Sequence, residues 1–332
     1  MPGDSAFYNH LRLVMMGTGT FALPTFLSLY DSPHEVVGLF TQPDRKGRGH
    51  HHHPHPMREA AEERGTPVFQ PENVNTPESL ADLAGLDADL CVVAAYGQIL
   101  SAELLRTPRF GAINLHASLL PKYRGAAPIQ YAILNGETAT GVTIFQIEPK
   151  LDAGPILGVD VIKIGARETS GELEERLSAL AVPLTSRVLG MFAREEIIGQ
   201  PQDSTGVTKA PKLRKEHAAI PWEKSAVAVA NHLRAMQPWP NPFTFLNQPN
   251  KKPLRLIVVQ AQPAINAESS DQPPGTILKC DHGRFLVQTG EGLLDILEVK
   301  PEGKRSMPAA DFLNGHQIQP GDRLSSKREP TV

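Results

Sequence analysis

The sequence of 332 residues predicts two domains: an α/β domain built on a mostly parallel sheet, followed by a small β-barrel. Strand-like and helix-like segments alternate between residues 11 and 194. The run over residues 89–95 is almost continuously apolar, as is typical of a parallel strand buried on both faces. Between residues 243 and 300, short β-like runs are instead separated by glycines, which indicates a barrel.

The first predicted strand covers residues 11–16, and the turn after it, GTGTFA over residues 17–22, opens a helix. This turn fits the G-x-G-x-x-A pattern of Rossmann-like dinucleotide-binding domains, so an NAD-dependent dehydrogenase is one interpretation. The acidic residue that such domains carry after the second strand is poorly placed, because Thr41, Gln42 and Pro43 precede Asp44. The glycines equally suit a tight turn between a strand and a helix.

The other elements of the first domain follow from periodicity and turn residues. Helices are predicted over residues 57–64, 77–84, 126–134 and 169–194, and further strands over residues 67–70, 140–147 and 156–164. The strand at 156–164 is expected to be antiparallel, because only a short loop precedes it. We expect a first domain over residues 10–198, a linker over residues 199–211 and a second domain over residues 212–326.

Charge is divided unevenly along the chain. The net charge is −3, yet residues 205–332 contain 17 basic and 12 acidic side chains, against 16 and 24 before them. A basic second domain suits an acidic polymer such as a nucleic acid, and chance surface charge is the alternative. The loop over residues 42–56 contains the basic run 45–49 and then His50–His53, but a flexible histidine run has no geometry that selects a metal. No metal is therefore expected.

Cysteine usage and apolar segments indicate the compartment. Cys91 and Cys280 form neither a disulfide framework nor a metal-binding spacing, which fits a reducing compartment such as the cytoplasm. The N-terminus lacks the charge pattern of a signal peptide. The apolar residues 11–30 are interrupted by Gly17, Gly19 and Pro24, so we expect no membrane segment.

Polar residues that could carry chemistry lie at the end of a strand over residues 112–116. Ile113 and Leu115 alternate with Asn114 and His116, so the amide and the imidazole share one face at the carboxyl end of the strand. Asp152 follows the strand-like run 141–147. Together these groups could serve acyl transfer as oxyanion donor, polariser and proton acceptor. From spacing alone, a structural histidine and a turn aspartate are the more common cases, and spacing does not decide between them and catalysis.

The motifs around this strand resemble the formyltransferase family that uses 10-formyltetrahydrofolate. The matching motifs are Asn-x-His at 114–116, Ser-Leu-Leu-Pro at 118–121, Tyr-Arg-Gly-Ala-Ala-Pro-Ile-Gln at 123–130 and Leu-Asp-x-Gly at 151–154. Further segments agree in order, at residues 40–45, 67–71, 94–97, 140–144 and 235–240. The resemblance covers about residues 10–325, so it is far more specific than one short motif.

The resemblance implies that a formyl group passes from 10-formyltetrahydrofolate to the free amine of methionyl initiator tRNA. It implies catalytic roles for Asn114, His116 and Asp152, and an OB-like second domain that binds tRNA. The residues implied to hold the folate are Ser118, Leu119, Leu120, Pro121, Tyr96, Gly97, Gln98 and Ile99. Arg48 and Lys212 match the family's functional arginine and lysine for tRNA. A monomer in the cytoplasm is expected.

The chain departs from the family pattern at two places. Gly19 and Thr20 stand where the family has proline and an acid, and His50–His53 follow Arg48 where the family has lysines. We therefore expect tRNA affinity to strengthen as the pH falls through about 6.5, where imidazoles become protonated. Rival interpretations are a sugar-nucleotide formyltransferase, the NAD-dependent dehydrogenase and a non-enzymatic RNA-binding protein. The last leaves the clustered Asn114, His116 and Asp152 without a role.

Overall fold

The structure is a computed structural model that describes residues 10–44, 55–264, 270–281 and 283–328. The chain forms two compact units. Unit 1 consists of Met1–Pro128, Ala139–Lys163 and Leu173–Pro211, and unit 2 of Ile129–Thr138, Ile164–Glu172 and Lys212–Val332. Two short segments before residue 198 thus belong to unit 2, and the domain boundaries given above stay a prediction.

The elements up to residue 116 alternate between strand and helix, as predicted, whereas two pairs of consecutive strands interrupt the alternation after that. The strands are β1 Arg12–Gly17, β2 Glu35–Phe40, β3 Val68–Phe69, β4 Leu90–Ala94, β5 Ala112–His116, β6 Arg124–Gly125, β7 Ala139–Gln146, β8 Ile156–Lys163 and β9 Lys209–Ala210. The helices are α1 Leu23–Tyr30, α2 Pro56–Glu63, α3 Pro77–Gly85, α4 Ala102–Arg106, α5 Pro128–Leu134 and α6 Ser170–Ala193.

The main sheet of unit 1 has the strand order β3-β2-β1-β4-β5-β7-β8. The strands from β3 to β5 are parallel neighbours, which confirms the mostly parallel α/β sheet. All five residues of β4 are buried, as its apolar run predicts. β8 is antiparallel to β7, as expected, but β7 is also antiparallel to β5. α5 lies between β5 and β7 in the chain, and because these two strands are antiparallel, they do not form a parallel βαβ unit.

Unit 2 is dominated by an antiparallel sheet. Its strands are β10 Phe243–Asn247, β11 Leu254–Pro263, β12 Ile277–Lys279, β13 Leu286–Gln288, β14 Leu293–Pro301, β15 Met307–Pro308 and β16 Arg323–Ser325. Besides most of α5, its helices are the 3₁₀ turn Lys215–Ala218, α7 Ala226–Ala235 and α8 Ala309–Gly315.

The sheet of unit 2 has the order β12-β13-β14-β11-β10-β16, with β15 against β14. An antiparallel bridge between Thr276 and Arg323 joins the two ends of this path and nearly closes the sheet. A core that includes Trp222, Phe285 and Phe312 fills the interior. The small barrel is therefore confirmed. Sequence analysis missed α8 and β16, since seven and three residues are too short to show a clear period.

Among the described residues, no helix is both long and apolar enough to cross a membrane. Within the same ranges, no three His, Cys, Asp or Glu side chains are grouped as metal ligands.

Candidate active site

The central strand β5 fixes two of the predicted polar side chains. Ile113 and Leu115 are buried in the core, at 0% and 2% exposure. The alternation of the strand therefore places Asn114 and His116 together on the other face. Asn114 is only partly buried, whereas His116 is 5% exposed. Since β4 and β7 pair with β5 on either side, the backbone that carries both groups is held rigidly.

The two ring nitrogens of His116 face different groups. Nε2 lies 2.9 Å from the carbonyl oxygen of Tyr123, and Nδ1 lies 3.9 Å from Oδ2 of Asp152. Because a carbonyl oxygen only accepts hydrogen bonds, Nε2 carries a proton and donates it. Burial lowers the pKa of His116, and Asp152 opposes that shift. The ring is therefore neutral at neutral pH, with the Nδ1 lone pair directed toward the carboxylate side.

Asp152 reaches His116 along a route that a parallel sheet would not give. Gln146 at the end of β7 pairs with Ile113, whereas His116 pairs with Thr143. The carboxyl end of β7 therefore lies beside the amino end of β5. The loop over residues 147–155 folds back from there and brings Asp152 to the histidine. Its carboxylate is 12% exposed, and Oδ2 accepts a 2.7 Å hydrogen bond from the amide of Gly125.

Two side chains that sequence analysis did not assign support the Asp152 loop. Nη2 of Arg124 donates to Oε1 of Gln202 at 2.6 Å. Nε2 of Gln202 lies 2.9 Å from the carbonyl oxygens of both Asp152 and Gly154. The charge on Arg124 also lowers the pKa of His116. Arg124 lies within the family motif at residues 123–130, but Gln202 is 50 residues from Asp152 and has no local sequence signal.

The segment predicted as a linker contributes further to this site. The hydroxyl of Thr208 accepts a 2.8 Å hydrogen bond from the amide of Tyr123. β9 pairs in parallel with β6, the short strand of Arg124 and Gly125. Gly125 has a φ of +126°, and a Cβ atom at this position would lie 2.5 Å from the carbonyl oxygen of Ala210. Only glycine therefore allows these two chains to approach so closely.

The predicted folate segment 118–121 is held between β5 and β7. Ser118 is fully buried, and its hydroxyl donates to the carbonyl of Lys122 at 2.7 Å. The hydroxyl of Thr143 donates to the carbonyl of Ser118 at 2.7 Å and accepts from the amide of Leu120 at 3.2 Å. These contacts fix the conformation of the segment, in which the peptide before Pro121 is cis.

The second predicted folate segment, 96–99, alternates between anchored and exposed residues. The ring of Tyr96 is 2% exposed and packs in the core, where burial raises the pKa of its phenol. The Gln98 amide accepts from the amide of Val74 at 2.8 Å and donates to the carbonyl of Pro71 at 3.0 Å. Gly97 is exposed with a φ of +81°, and Ile99 is 80% exposed. The open surface of the loop is thus formed by Gly97 and Ile99.

The structure describes only one of the two predicted tRNA residues. Arg48 and the run His50–His53 lie outside the described residues. Lys212 is the first residue of the last segment of unit 2, and its side chain is exposed.

The first glycine-rich turn shows the features of a packing turn. A Cβ atom on Gly17 would lie 2.9 Å from the carbonyl oxygen of Ala94 on the neighbouring strand, and Gly19 has a φ of +84°. Glycine at 17 thus permits close packing, and glycine at 19 permits the left-handed turn.

Comparison with known proteins identifies relatives over almost the whole chain. Residues 11–189 match the family model "Formyl transferase", and residues 212–317 match "Formyl transferase, C-terminal domain". A protein of Citrifermentans bemidjiense named methionyl-tRNA formyltransferase is 43% identical, over 96% of this chain and 97% of its own. A protein of the same name from Methylococcus capsulatus is 43% identical, over 95% of this chain and all of its own.

Solved structures share the fold at lower identity. HypX from Aquifex aeolicus in complex with tetrahydrofolic acid matches with a TM-score of 0.60 at 16% identity, over 92% of this chain and 47% of that one. An N-formyltransferase from Helicobacter canadensis, in complex with folinic acid and dTDP-3-aminofucose, matches with a TM-score of 0.62 at 15% identity, over 86% and 98%. The resemblance inferred from the motifs is confirmed, and the chain belongs to the formyltransferase family, within the branch of the methionyl-tRNA formyltransferases.

Proposed function

We propose that this chain transfers a formyl group from 10-formyltetrahydrofolate to the free amine of methionyl initiator tRNA, giving N-formylmethionyl-tRNA for translation initiation. The observation that carries the proposal is the approach of Asp152 to within 3.9 Å of His116, beside the amide of Asn114. Relatives of almost equal length named for this activity support it.

Asn114 is proposed as the oxyanion donor. When the amine of the methionyl group attacks the formyl carbon, the carbonyl oxygen of the formyl group gains negative charge. A side-chain amide can donate to that oxygen at any pH, because it does not titrate. Among the described residues, the Asn114 side chain has no hydrogen-bond partner, so its amide is available to a substrate.

His116 and Asp152 are proposed to receive the proton that the attacking amine loses. With Nε2 donating to Tyr123, the neutral ring offers only the lone pair on Nδ1. Nδ1 and the Asp152 carboxylate are both acceptors, so a proton donor placed between them is bound by both. Once His116 accepts the proton, the negative charge of Asp152 stabilises the imidazolium. The imidazolium can then return the proton to the leaving nitrogen.

The folate is proposed to lie against residues 96–99 and 118–121. Gly97 has no heavy atom closer than 3.7 Å to where a Cβ would stand, and the apolar side chain of Ile99 is exposed. An open backbone next to an exposed apolar side chain suits a flat ring system. We propose that Gly97 and Ile99 contact the ring, while Tyr96 and Gln98 anchor the loop and Ser118–Pro121 supply the facing backbone.

The second domain is proposed to bind the tRNA, with Lys212 near the acceptor end and Arg48 in the loop before α2. The basic excess after residue 205 supports this, since phosphate contacts dominate nucleic-acid affinity. The enzyme is proposed to act as a cytoplasmic monomer and to use no metal.

The proposed function is tested by a formylation assay with purified protein, 10-formyltetrahydrofolate and charged initiator tRNA. We expect N-formylmethionyl-tRNA to form, and we expect no product from a UDP-amino sugar offered under the same conditions. If the amino sugar is formylated and the methionyl-tRNA is not, the proposed substrate is refuted. The absence of both products would refute the proposed reaction.

A further inference from the structure

We propose that Gln202 is a positioning residue that sets the location of the Asp152 carboxylate, with Arg124 orienting its amide. This inference rests on the proposed function, because it assigns Gln202 a role through Asp152. It starts from a feature that the reaction itself does not require: a glutamine from the predicted linker is hydrogen-bonded to the backbone on both sides of Ala153.

The orientation of the Gln202 amide is determined by its partners. The guanidinium of Arg124 has only donors, so the group that faces Nη2 at 2.6 Å must be the oxygen of the amide. The nitrogen is then directed at the carbonyls of Asp152 and Gly154, each at 2.9 Å. Its two N–H groups match these two acceptors. The amide is therefore satisfied in this orientation and would oppose like groups in the flipped one.

The same network holds both ends of Asp152. Its side chain accepts from the amide of Gly125, and its backbone carbonyl accepts from Gln202, which is held by Arg124. Arg124 and Gly125 are neighbours in β6, so the hydrogen bonds form a closed circuit from one short strand to Asp152 and back. Loss of the glutamine opens this circuit at the backbone of Asp152.

The backbone of Asp152 needs such support. Its φ is +47°, in the left-handed region that residues other than glycine seldom occupy. A residue held in this region persists when the surrounding structure fixes it. The loop has to fold back from the far end of β7, and the backbone carbonyl of Asp152 accepts its hydrogen bond from the side chain of Gln202. Without Gln202, we expect the turn to relax and the carboxylate to move away from His116.

The first experiment replaces Gln202 by methionine, which keeps the length of the side chain and removes both the donors and the acceptor. We expect kcat to fall about 10- to 100-fold, because a displacement of about 1 Å costs up to about 100-fold in rate. KM for the folate and for the tRNA should change less than about two-fold, because Gln202 is not placed against either substrate. A rise in KM of about 10- to 100-fold with an unchanged kcat would overturn the proposal.

The matched control is Gln200→Met. Gln200 is exposed, and among the described residues it is bonded only through its backbone, to Ile156. We expect its kcat to equal that of the unchanged protein. If Gln200→Met slows the reaction as much as Gln202→Met, the effect belongs to the segment as a whole and the proposal fails.

A double-mutant cycle tests whether Gln202 acts through Asp152. Under single-turnover conditions, Gln202→Met should slow the Asp152→Ala enzyme less than about two-fold, because coupled residues lose their effects together. Equal slowing in both backgrounds would overturn the positioning role.

A readout independent of activity separates this inference from the proposed function. The amide of Gly125 donates to Asp152, so its hydrogen exchange should accelerate at least about ten-fold in Gln202→Met if the carboxylate moves away. Unchanged exchange at Gly125 would overturn the proposal, whatever the activity. If the unchanged protein formylates no tRNA, the proposed function fails, and the exchange result still decides whether Gln202 positions Asp152.

Discussion

His232 makes the stability of unit 2 depend on pH. It lies on α7 with 7% exposure, and its Nε2 is buried without a hydrogen-bond partner among the described residues. Burial lowers the pKa of His232 from 6.5 to about 4, against a hydrogen bond with the backbone of Ala218 that raises it. Between about pH 6.5 and pH 4, the ring is therefore mostly neutral in the folded protein but mostly protonated in the unfolded chain.

The sign and size of the effect follow from the two pKa values. Between pH 6.5 and pH 4 the unfolded chain binds more protons at this position than the folded protein. The stabilisation is thus complete above pH 6.5 and is lost progressively as the pH falls toward 4. Since one pKa unit corresponds to about 1.4 kcal/mol, the loss at pH 5 is about 2 kcal/mol.

Tryptophan fluorescence reports this loss selectively. Both tryptophans, Trp222 and Trp239, lie in unit 2, and Trp222 is buried in its core. Urea unfolding followed by fluorescence at pH 7.5 and at pH 5 gives the change in the free energy of unfolding. We expect His232→Leu to reduce that change by about 2 kcal/mol, since the titrating group is gone. The control His217→Gln alters an exposed histidine of the same unit. It should leave the difference in the free energy of unfolding between pH 7.5 and pH 5 unaltered.

The result that would refute this reasoning is an equal pH dependence in the unchanged protein and in His232→Leu. It would mean that His232 is protonated equally readily in the folded and unfolded chains, so that its burial does not make the free energy of unfolding depend on pH.

Five further predictions concern the site and the tRNA. Asn114→Ala should lower kcat about 100- to 1,000-fold, the usual cost of one oxyanion donor, with tRNA binding in a filter assay unchanged. Asp152→Asn should also lose most of its turnover, and a rate close to normal would contradict its role as proton acceptor. Because the pKa of His116 is lowered, kcat should stay level at neutral pH and fall only below pH 6.5. A pH–rate profile that falls already near neutrality would contradict a neutral His116. Gly125→Ala should lower the melting temperature in a calorimetric scan, because the added Cβ would lie 2.5 Å from a carbonyl oxygen of β9, and an unchanged melting temperature would show that the two strands can separate. Affinity for tRNA should be higher at pH 6 than at pH 8 if protonated His50–His53 contact phosphate, and equal affinity would remove that role.

The face shared by Asn114 and His116 could be predicted from sequence, because the two-residue period of a strand is a local property. The burial of β4 and the barrel of short strands followed from equally local patterns. The direction of β7 could not be predicted, since both orientations bury the same residues. Asp152 therefore reaches His116 from an unexpected direction, although the sequence predicts both residues for the site.

The side chain of Tyr96 shows a second limit of sequence analysis. An aromatic residue beside a glycine suits the wall of a pocket, yet the ring of Tyr96 turns into the core and leaves Gly97 on the surface. Ala95 and Gly97 both have positive φ values, which set the direction of the loop at these positions. Backbone conformation of this kind is not encoded in an apolar pattern, so the inward turn was not visible in the sequence.

The composition of residues 199–211 predicts a linker, and the structure explains why such a composition also suits the candidate active site. The loops 117–125 and 147–155 have backbone groups that the main sheet does not satisfy, and buried backbone groups need partners. Gln202 and Thr208 provide these partners through their side chains, and β9 provides them through its backbone. Polar residues without a periodic pattern can form such hydrogen bonds, and the same residue types are typical of a flexible connection. Replacing residues 200–210 by a glycine–serine chain of equal length should therefore abolish formylation while both units still fold. If the segment were only a linker, the same replacement would leave formylation unchanged.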